Sequence, residues 1–225
     1  MSGALARDAA VPKALLLLKA GEESDTALDA LAHGLAGRTG TQLWRALPPG
    51  VLGDSPQGEA VGAGLAFDFA VEIDGAHEPS ELADLALPKA IAREAGVAVI
   101  GTEHHVMPGE GAVALFCPLR RLPGLTGEGF RDYWLNRHAD FGRANPESRY
   151  RQLHPDPQAS DDLCAALGLP ACDIDGVAEA YFRDIDELRA VLASPDIAGD
   201  AFADEQRFID HARSAFLPFE RIAFA

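Results

Sequence analysis

The chain has 225 residues, of which 48% are hydrophobic and 24% charged, a composition typical of a globular protein rather than of a disordered one. Its 19 Lys and Arg residues against 35 Asp and Glu residues give a formal net charge of -16 at pH 7 with histidine neutral. This charge repels phosphate backbones and anionic lipid surfaces, so neither nucleic acid nor a membrane is expected as a partner.

Cysteine usage and hydropathy predict a cytoplasmic protein. The three cysteines, Cys117, Cys164 and Cys172, do not form the paired spacing of structural zinc sites or redox dithiols. The apolar run "ALLLL" at 14–18 is too short for a secretory signal, and no stretch approaches the ~20 apolar residues that span a bilayer. No metal site is expected.

The first predicted series of elements occupies residues 13–108 and follows an N-terminal segment, 1–12, that is expected to be flexible. The predicted order is a strand at 13–19, a helix from Ser24 as N-cap to Gly37, a strand at 41–47, a Gly-rich polar loop to about Gly58, a strand at 63–73, a helix at 79–95 that Pro88 is expected to kink, and a strand at 96–107. The order is β-α-β-β-α-β.

The second predicted series occupies residues 112–225 and repeats this order. Its elements are a strand at 112–121, a helix capped by Thr126, a strand at 148–154, a polar insertion that contains Cys164 and Cys172, a strand at 175–182, helical segments at 184–194 and 202–212, and a strand at 218–225. The architecture is therefore predicted to be duplicated.

The β-α-β-β-α-β order is that of a ferredoxin-like unit, an antiparallel four-stranded sheet with both helices on one face. Such a sheet leaves its other face apolar and in need of cover. We therefore predict an α+β fold of two tandem ferredoxin-like repeats that pack sheet to sheet into a barrel-like structure.

The stretch "GFRDYWLNRHADF", residues 129–141, is the main candidate for a site. At 100° per residue, Phe130, Trp134, Arg137 and Phe141 lie near one side of the helix, and His138 lies at the flank of this stripe. From there an imidazole can reach a cavity and act as acid, base or ligand near neutral pH. The pattern alone favours the simpler interpretation, a helix-edge histidine bonded to a backbone carbonyl.

Three further polar side chains, Tyr150, Gln152 and His154, share one face of a predicted strand because side chains alternate. That face could look toward the helix and join His138 around one pocket, or look into the barrel. His104 and His105 point to opposite faces, so a shared metal ion is not expected. The acidic stretch at 184–205 is predicted to form a solvated helical face, and His211 to face solvent.

The residues "LRRLPGLTGEGFRDYWLNRHADF" resemble a characteristic motif of the EthD family, an R-x-P-G turn followed by F-x-x-Y-W-x-x-x-H. The matching positions are Arg121, Pro123, Gly124, Leu125, Thr126, Phe130, Tyr133, Trp134 and His138. The later stretches "RYRQLH", "DGVAEAYFRDIDELRAVLASP" and "DEQRFIDHARS" resemble further family segments in the same order. The resemblance covers the chain from residue 112 to its end.

The resemblance implies a dimeric α/β-barrel, here within one chain, and small apolar substrates that are often aromatic or polyketide-like. It suggests a cofactor-independent lyase or isomerase of aromatic-compound catabolism, of dehydratase or cyclase type, with His138 as general base. We predict His138, Tyr133 and His154 as catalytic residues, with Tyr133 or Tyr150 donating a hydrogen bond to an oxyanion. The predicted substrate-binding residues are Trp134, Tyr150, Gln152, Phe130 and Tyr181.

Two alternatives stay open at this stage. One is haem binding through a helix histidine, or cofactor-free monooxygenation, within the same superfamily. The other is a non-catalytic accessory protein that binds a small ligand. Aligning Ser24 with Thr126 places Ala32 opposite Trp134 and Ala36 opposite His138, so the N-terminal repeat is predicted to be degenerate. A monomer or a homodimer is expected, without a cofactor.

Overall fold

The computed structural model describes residues 9–21, 23–48, 50–51, 67–82 and 84–224. Its strands are β1 (Ala10–Leu18), β2 (Thr41–Ala46), β3 (Phe69–Asp74), β4 (Val97–His105), β5 (Val113–Leu119), β6 (Arg151–Pro155), β7 (Gly176–Phe182) and β8 (Leu217–Ile222). Its α-helices are α1 (Ser24–Leu35), α2 (Gly127–Tyr133), α3 (Ala139–Ala144), α4 (Pro157–Leu167), α5 (Ile185–Leu192) and α6 (Phe202–Glu205).

The eight strands form one closed antiparallel barrel in the order β1-β3-β2-β8-β5-β7-β6-β4. Within it, β4-β1-β3-β2 and β8-β5-β7-β6 are two four-stranded sheets of the same order, one from each half of the chain. The sheets join edge to edge through β2 with β8 and β4 with β6. The predicted fold class is confirmed, and closure leaves neither sheet with an unpaired edge.

Side-chain alternation divides each strand between the barrel lumen and the outer, helix-covered face. In the lumen, Trp44 packs edge-on against Phe116 with ring centroids 5.6 Å apart. Outside β5 and β7, a second apolar cluster includes Phe130, Trp134 and Phe208. The helix that carries the candidate histidine therefore packs on the outer face of the second sheet.

The predicted helix at 79–95 is wrong. The structure has short 3-10 turns at Pro79–Leu82 and Arg93–Ala95, because Pro88 lacks the N–H that a continuous helix needs there. The predicted polar insertion instead forms α4, which packs on β4. There, Ser160 Oγ bonds the backbone of Ile100 and Cys164 Sγ bonds that of Ala98, so the second half covers part of the first half's sheet.

Several boundaries differ from the predictions. The residue before α1 is Glu23, and no side chain caps this helix, whereas Thr126 caps α2 as predicted by accepting from the Gly129 N–H. The predicted helix at 202–212 ends at Glu205. Most of the predicted loop to Gly58, residues 1–8 of the N-terminal segment and residues 63–66 of the predicted strand at 63–73 lie outside the described residues. None of the helices in the described ranges has the length and apolar character that a bilayer crossing requires.

Candidate functional site

The helix of the candidate histidine contains a π-helical turn at Trp134–His138, between α2 and α3. A π turn holds more residues per turn than an α-helix, so the residues beyond it are rotated relative to the α-helical pattern. Trp134 and His138, four residues apart, are both buried, whereas Arg137 within the turn is exposed. The α-helical spacing had placed Arg137 on the packed side, which is wrong. Such turns occur frequently at functional sites.

A cavity of about 100 Å³ lies between this helix and the outer face of β5 and β7. Its walls are mostly apolar, with Trp134, Phe141, Leu119 and Phe216 among them, and its polar groups are few. The groups in its wall that can carry or exchange a proton are those of His138, Tyr150, Glu205 and Cys117, with a serine, Ser148. A small apolar space with a few convergent polar groups is typical of a ligand site.

His138 is held in one orientation by Asp204. Its Nδ1 lies 2.9 Å from Asp204 Oδ2, and the other carboxylate oxygen accepts a 2.6 Å hydrogen bond from the Tyr133 hydroxyl. Partial burial alone would raise the pKa of Asp204. The hydrogen bonds from Tyr133 and His138 outweigh this effect, so the pKa of Asp204 is lowered. An ionised carboxylate only accepts hydrogen bonds, so Nδ1 carries the proton and Nε2 is the basic nitrogen.

Tyr150 ends a chain of hydrogen bonds that begins at His154. The His154 Nε2–H donates to Gln152 Oε1 at 3.0 Å, and Gln152 Nε2 donates to the Tyr150 hydroxyl at 3.3 Å. Trp134 Nε1 donates to the same hydroxyl at 2.7 Å. Two donors thus occupy this oxygen, and no acceptor for its proton is found among the residues that the structure describes. That proton is available to a ligand in the cavity.

Burial sets the protonation states along this chain. It raises the pKa of Tyr150 above its usual range. The hydrogen bonds from Trp134 and Gln152 lower this pKa, but their effect is smaller than that of burial. Burial also lowers the pKa of His154 to about 3, helped by the nearby charges of His104 and Arg131. Tyr150 therefore stays a neutral hydrogen-bond donor and His154 a neutral imidazole near pH 7.

The structure brings together some of the predicted site residues and separates others. The face of β6 that carries Gln152 and His154 looks toward the helix, which decides between the two orientations left open by the sequence. His154 stacks on the Trp134 ring, with centroids 5.0 Å apart, and is not part of the cavity wall. Phe130 packs against Trp134 and Phe208 in the core. Tyr181 lies in the lumen, on the other side of the sheet.

Sequence reasoning missed Asp204, Glu205 and His211. The acidic stretch was predicted to be a solvated face, but Asp204 contacts His138, and Glu205 Oε1 lies 4.0 Å from His138 Nε2. His211 was predicted to face solvent, but its Nε2 lies 3.0 Å from Glu205 Oε2. The sequence separation of 66 residues between His138 and Asp204 hides this contact from any local pattern.

A second polar cluster, also missed, lies inside the barrel around Lys13. The Lys13 ammonium contacts the carboxylates of Glu72, Glu103 and Glu179, and all four side chains are buried. The Tyr181 hydroxyl donates to Glu179 at 2.6 Å. Burial, with repulsion from Glu103 and Glu72, raises the pKa of Glu179 to about 8 despite the attraction of Lys13.

The charges of this lumen cluster balance without a metal ion. Glu72, Glu103 and Glu179 place carboxylate oxygens within 4.8 Å of one another, a spacing that could hold a metal. The Lys13 ammonium already contacts all three carboxylates, and Arg151 lies beside Glu103 at 3.5 Å. With Glu179 protonated, two cations face two carboxylates. The cluster is therefore best described as a buried ion network.

The cavity at His138 suits a haem group in one respect and not in others. A carboxylate on Nδ1 suits a metal-ligating histidine. The space does not suit a porphyrin, because about 100 Å³ lies below the roughly 300–1,000 Å³ of pockets that hold drug-sized ligands. Rings of Phe208 and Phe141 also pack 5.0 and 5.4 Å from the imidazole. The described residues do not fit haem, and the expectation of a cofactor-free site stays a prediction.

Comparison with known proteins agrees with the predicted resemblance. The EthD domain profile matches residues 122–212, whereas no curated protein matches the sequence significantly. The chlorite dismutase-like protein TA0507 is 9% identical, with 96% of each chain covered and a TM-score of 0.51. A mutant chlorite dismutase from Candidatus Nitrospira defluvii in complex with cyanide is 9% identical over 93% of this chain and 90% of its own, with a TM-score of 0.50. At this identity the likeness shows the fold alone.

Proposed function

We propose that this chain, in which residues 122–212 match the EthD domain, is a cofactor-independent lyase or isomerase that acts on a small aromatic or polyketide-like compound. The observation that carries the proposal is the contact between His138 and Asp204 at the wall of the cavity. It fixes the ring tautomer that leaves Nε2 basic, and the carboxylate stabilises the imidazolium that forms when Nε2 takes a proton. His138 is the proposed general base.

Tyr150 supplies the complementary group. Removal of a proton next to a carbonyl or phenol places negative charge on the substrate oxygen, which a neutral hydroxyl can stabilise by donating a hydrogen bond. Tyr150 is suited to this task because its oxygen already accepts from Trp134 and Gln152, so its own proton is free to point at the substrate. Its raised pKa keeps that proton in place.

The cavity supports a small and apolar reacting group. An engineered cavity of about 150 Å³ in another protein binds benzene, so a cavity of about 100 Å³ limits the enclosed group to at most one ring. The apolar wall favours neutral over charged substrates, because an unpaired ion loses its hydration there. We therefore propose substrates that place a single ring or a short enone in this cavity.

A thermal-shift screen tests the proposal. Wild type, H138A and the control H33A, which removes an exposed histidine of α1, are screened against phenols, lactones, aromatic acids, quinones and haem. Each mixture is analysed for product by mass spectrometry. We expect one aromatic class to stabilise wild type and H33A and to be converted, with conversion lost in H138A.

The other outcomes identify the alternatives. Stabilisation without product in any mixture would contradict the enzymatic proposal and favour a ligand-binding accessory protein. Stabilisation by haem, with a Soret band, would contradict the cofactor-independent proposal. Conversion that is equal in wild type and H138A would exclude His138 as the base.

A further inference from the structure

Glu205 occupies a special position next to the proposed base. It follows Asp204 directly at the end of α6. The carboxylates of these two consecutive residues lie next to the two different nitrogens of the His138 ring. Asp204 is hydrogen-bonded to Nδ1 at 2.9 Å, whereas Glu205 Oε1 stands 4.0 Å from Nε2. The Glu205 side chain is 17% exposed and forms part of the cavity wall.

His211 connects Glu205 to the protein surface. Its Nε2 lies 3.0 Å from Glu205 Oε2, and its side chain is 19% exposed. The ring is held in place by aromatic neighbours, since it stacks parallel to Phe216 at 6.2 Å and contacts Phe202 at 5.0 Å. Phe216 also borders the cavity, so the carboxylate lies between the cavity and a histidine that reaches solvent.

The gap between His138 and Glu205 has the size of one bridging atom. A separation of 4.0 Å is too long for a hydrogen bond, but one oxygen can lie at about 2.8 Å from both atoms. Hydrogen bonds at catalytic groups are often long before the ligand binds. A substrate atom or a water in this gap would therefore contact the base and the carboxylate together.

We propose that Glu205 is the second proton-carrying group of the site, and that His211 relays its proton to solvent. This inference rests on the proposed function and narrows it to proton transfer between two positions of one substrate. His138 Nε2 takes a proton from a substrate carbon, and the electron pair of that C–H bond moves into the conjugated system. Glu205 gives the proton it shares with His211 to a second substrate atom, and the double bond migrates.

The step balances without an oxidant, a reductant or a leaving group. After transfer, His138 is an imidazolium and Glu205 a carboxylate. A water in the 4.0 Å gap then carries the proton from Nε2 to Oε1 and restores the starting state, while His211 equilibrates the carboxylate with solvent. Other titratable or charged groups near the pair are Asp204, with Tyr133 and Arg207 bound to it, and Tyr150 and Cys117, which contribute to the cavity wall.

The test uses 3-cyclohexen-1-one, a neutral single-ring ketone whose conjugated isomer absorbs in the ultraviolet. Deuterium exchange at its α carbon reports the His138 step alone, whereas isomerisation also needs delivery of a proton at the γ carbon. E205Q should lower isomerisation about 100-fold relative to α-exchange. H211F should lower isomerisation less and change its pH profile, and D200N, which neutralises an exposed carboxylate nearby, should change neither rate.

The 15N NMR shifts of the histidine ring nitrogens provide a readout that needs no substrate. E205Q replaces the carboxylate that lies 3.0 Å from His211 Nε2 and 4.0 Å from His138 Nε2 with an amide, so the shifts of both nitrogens should change, whereas D200N should change neither. Unchanged shifts would overturn the inference, as would isomerisation in E205Q that equals wild type. If wild type neither exchanges nor isomerises the ketone but both shifts change in E205Q, the link from His138 through Glu205 to His211 stands and the proposed reaction fails for this substrate.

Discussion

The indole of Trp134 donates a 2.7 Å hydrogen bond to the hydroxyl of Tyr150, and this contact joins the helix of the proposed base to the start of β6. The indole is fully buried, so its N–H depends on this oxygen as acceptor. The bond thus contributes to stability as well as to the orientation of the proposed oxyanion donor.

Removing this hydroxyl in Y150F should therefore destabilise the fold. The Trp134 N–H would lose its acceptor, and an unsatisfied buried polar group costs about 1–3 kcal/mol. Urea unfolding of Y150F, W134F and the double variant should give a double-mutant cycle in which the two costs do not add. Additive costs would show that the hydrogen bond contributes nothing. Turnover of any substrate should fall by about 100-fold or more in Y150F.

D204N should disturb the tautomer of His138. An amide can donate to Nδ1 as well as accept from it, so the ring would no longer be held with its proton on Nδ1. The 15N NMR shifts of the two ring nitrogens distinguish the tautomers. Base-catalysed exchange should fall by about 10²–10⁴-fold. D200N serves as the matched control, and retention of the wild-type tautomer in D204N would contradict the role assigned to Asp204.

His154 should not titrate between pH 5 and 8. Its pKa is lowered to about 3 by burial and by the charges of His104 and Arg131, so its ring is neutral across that range. The NMR resonance of its Cε1 proton should therefore stay constant over this pH range. A midpoint near 6 for His154 would refute the burial of this ring against Trp134.

Stability should fall as the pH rises through neutrality, because of Glu179. Its pKa is raised from 4.5 to about 8, so the folded state retains a proton that the unfolded state has lost. This contribution is fully present below about pH 4.5 and is lost as the pH rises toward 8, with each pKa unit corresponding to about 1.4 kcal/mol. Urea unfolding at pH 5 to 9 should show this decline in wild type and in the exposed-site control E220Q, and a flatter profile in E179Q.

K13M should be among the most destabilising single substitutions in the lumen. It removes the ammonium that contacts three buried carboxylates and leaves them mutually repelling, and breaking a buried ion pair costs about 3–5 kcal/mol. Combining K13M with E103Q should recover part of the loss, since one carboxylate charge is removed as well. A loss below about 1 kcal/mol in K13M would show that the carboxylates accept protons at little cost.

The architecture could be predicted from the sequence because the strands are short apolar runs between clear breaks. Runs such as "ALLLL" pair with like runs in the other strands, and the repeated order of elements limits the fold to few topologies. The helix at 79–95 was mispredicted because its apolar spacing is helical while Pro88 and the cover supplied by α4 make another structure more stable. Tertiary packing therefore determines the conformation of residues 79–95, and a local sequence pattern contains no information about that packing.

The site could be predicted only where its residues lie on one element. His138 and Tyr133 share a helix, and the side-chain alternation of the predicted strand at 148–154 placed Tyr150 with Gln152. Asp204 lies 66 residues from His138. It stands in a stretch rich in acidic residues, and such a pattern indicates a solvent-exposed helical face. The lumen charges escaped notice for a similar reason, since Lys13, Glu72 and Glu179 lie on three different strands. Each lies within a mostly apolar run, and only closure of the barrel brings them together.

The placement of α4 also bears on how the two repeats depend on each other. A fragment that ended near residue 110 would carry β1 to β4 without the helix that packs on β4, and both of its outer strands would lack their partners. A fragment that began there would carry α4 with no surface to receive it. Neither repeat is therefore a transferable module, and a cut chain should regain its structure only when both pieces are present together.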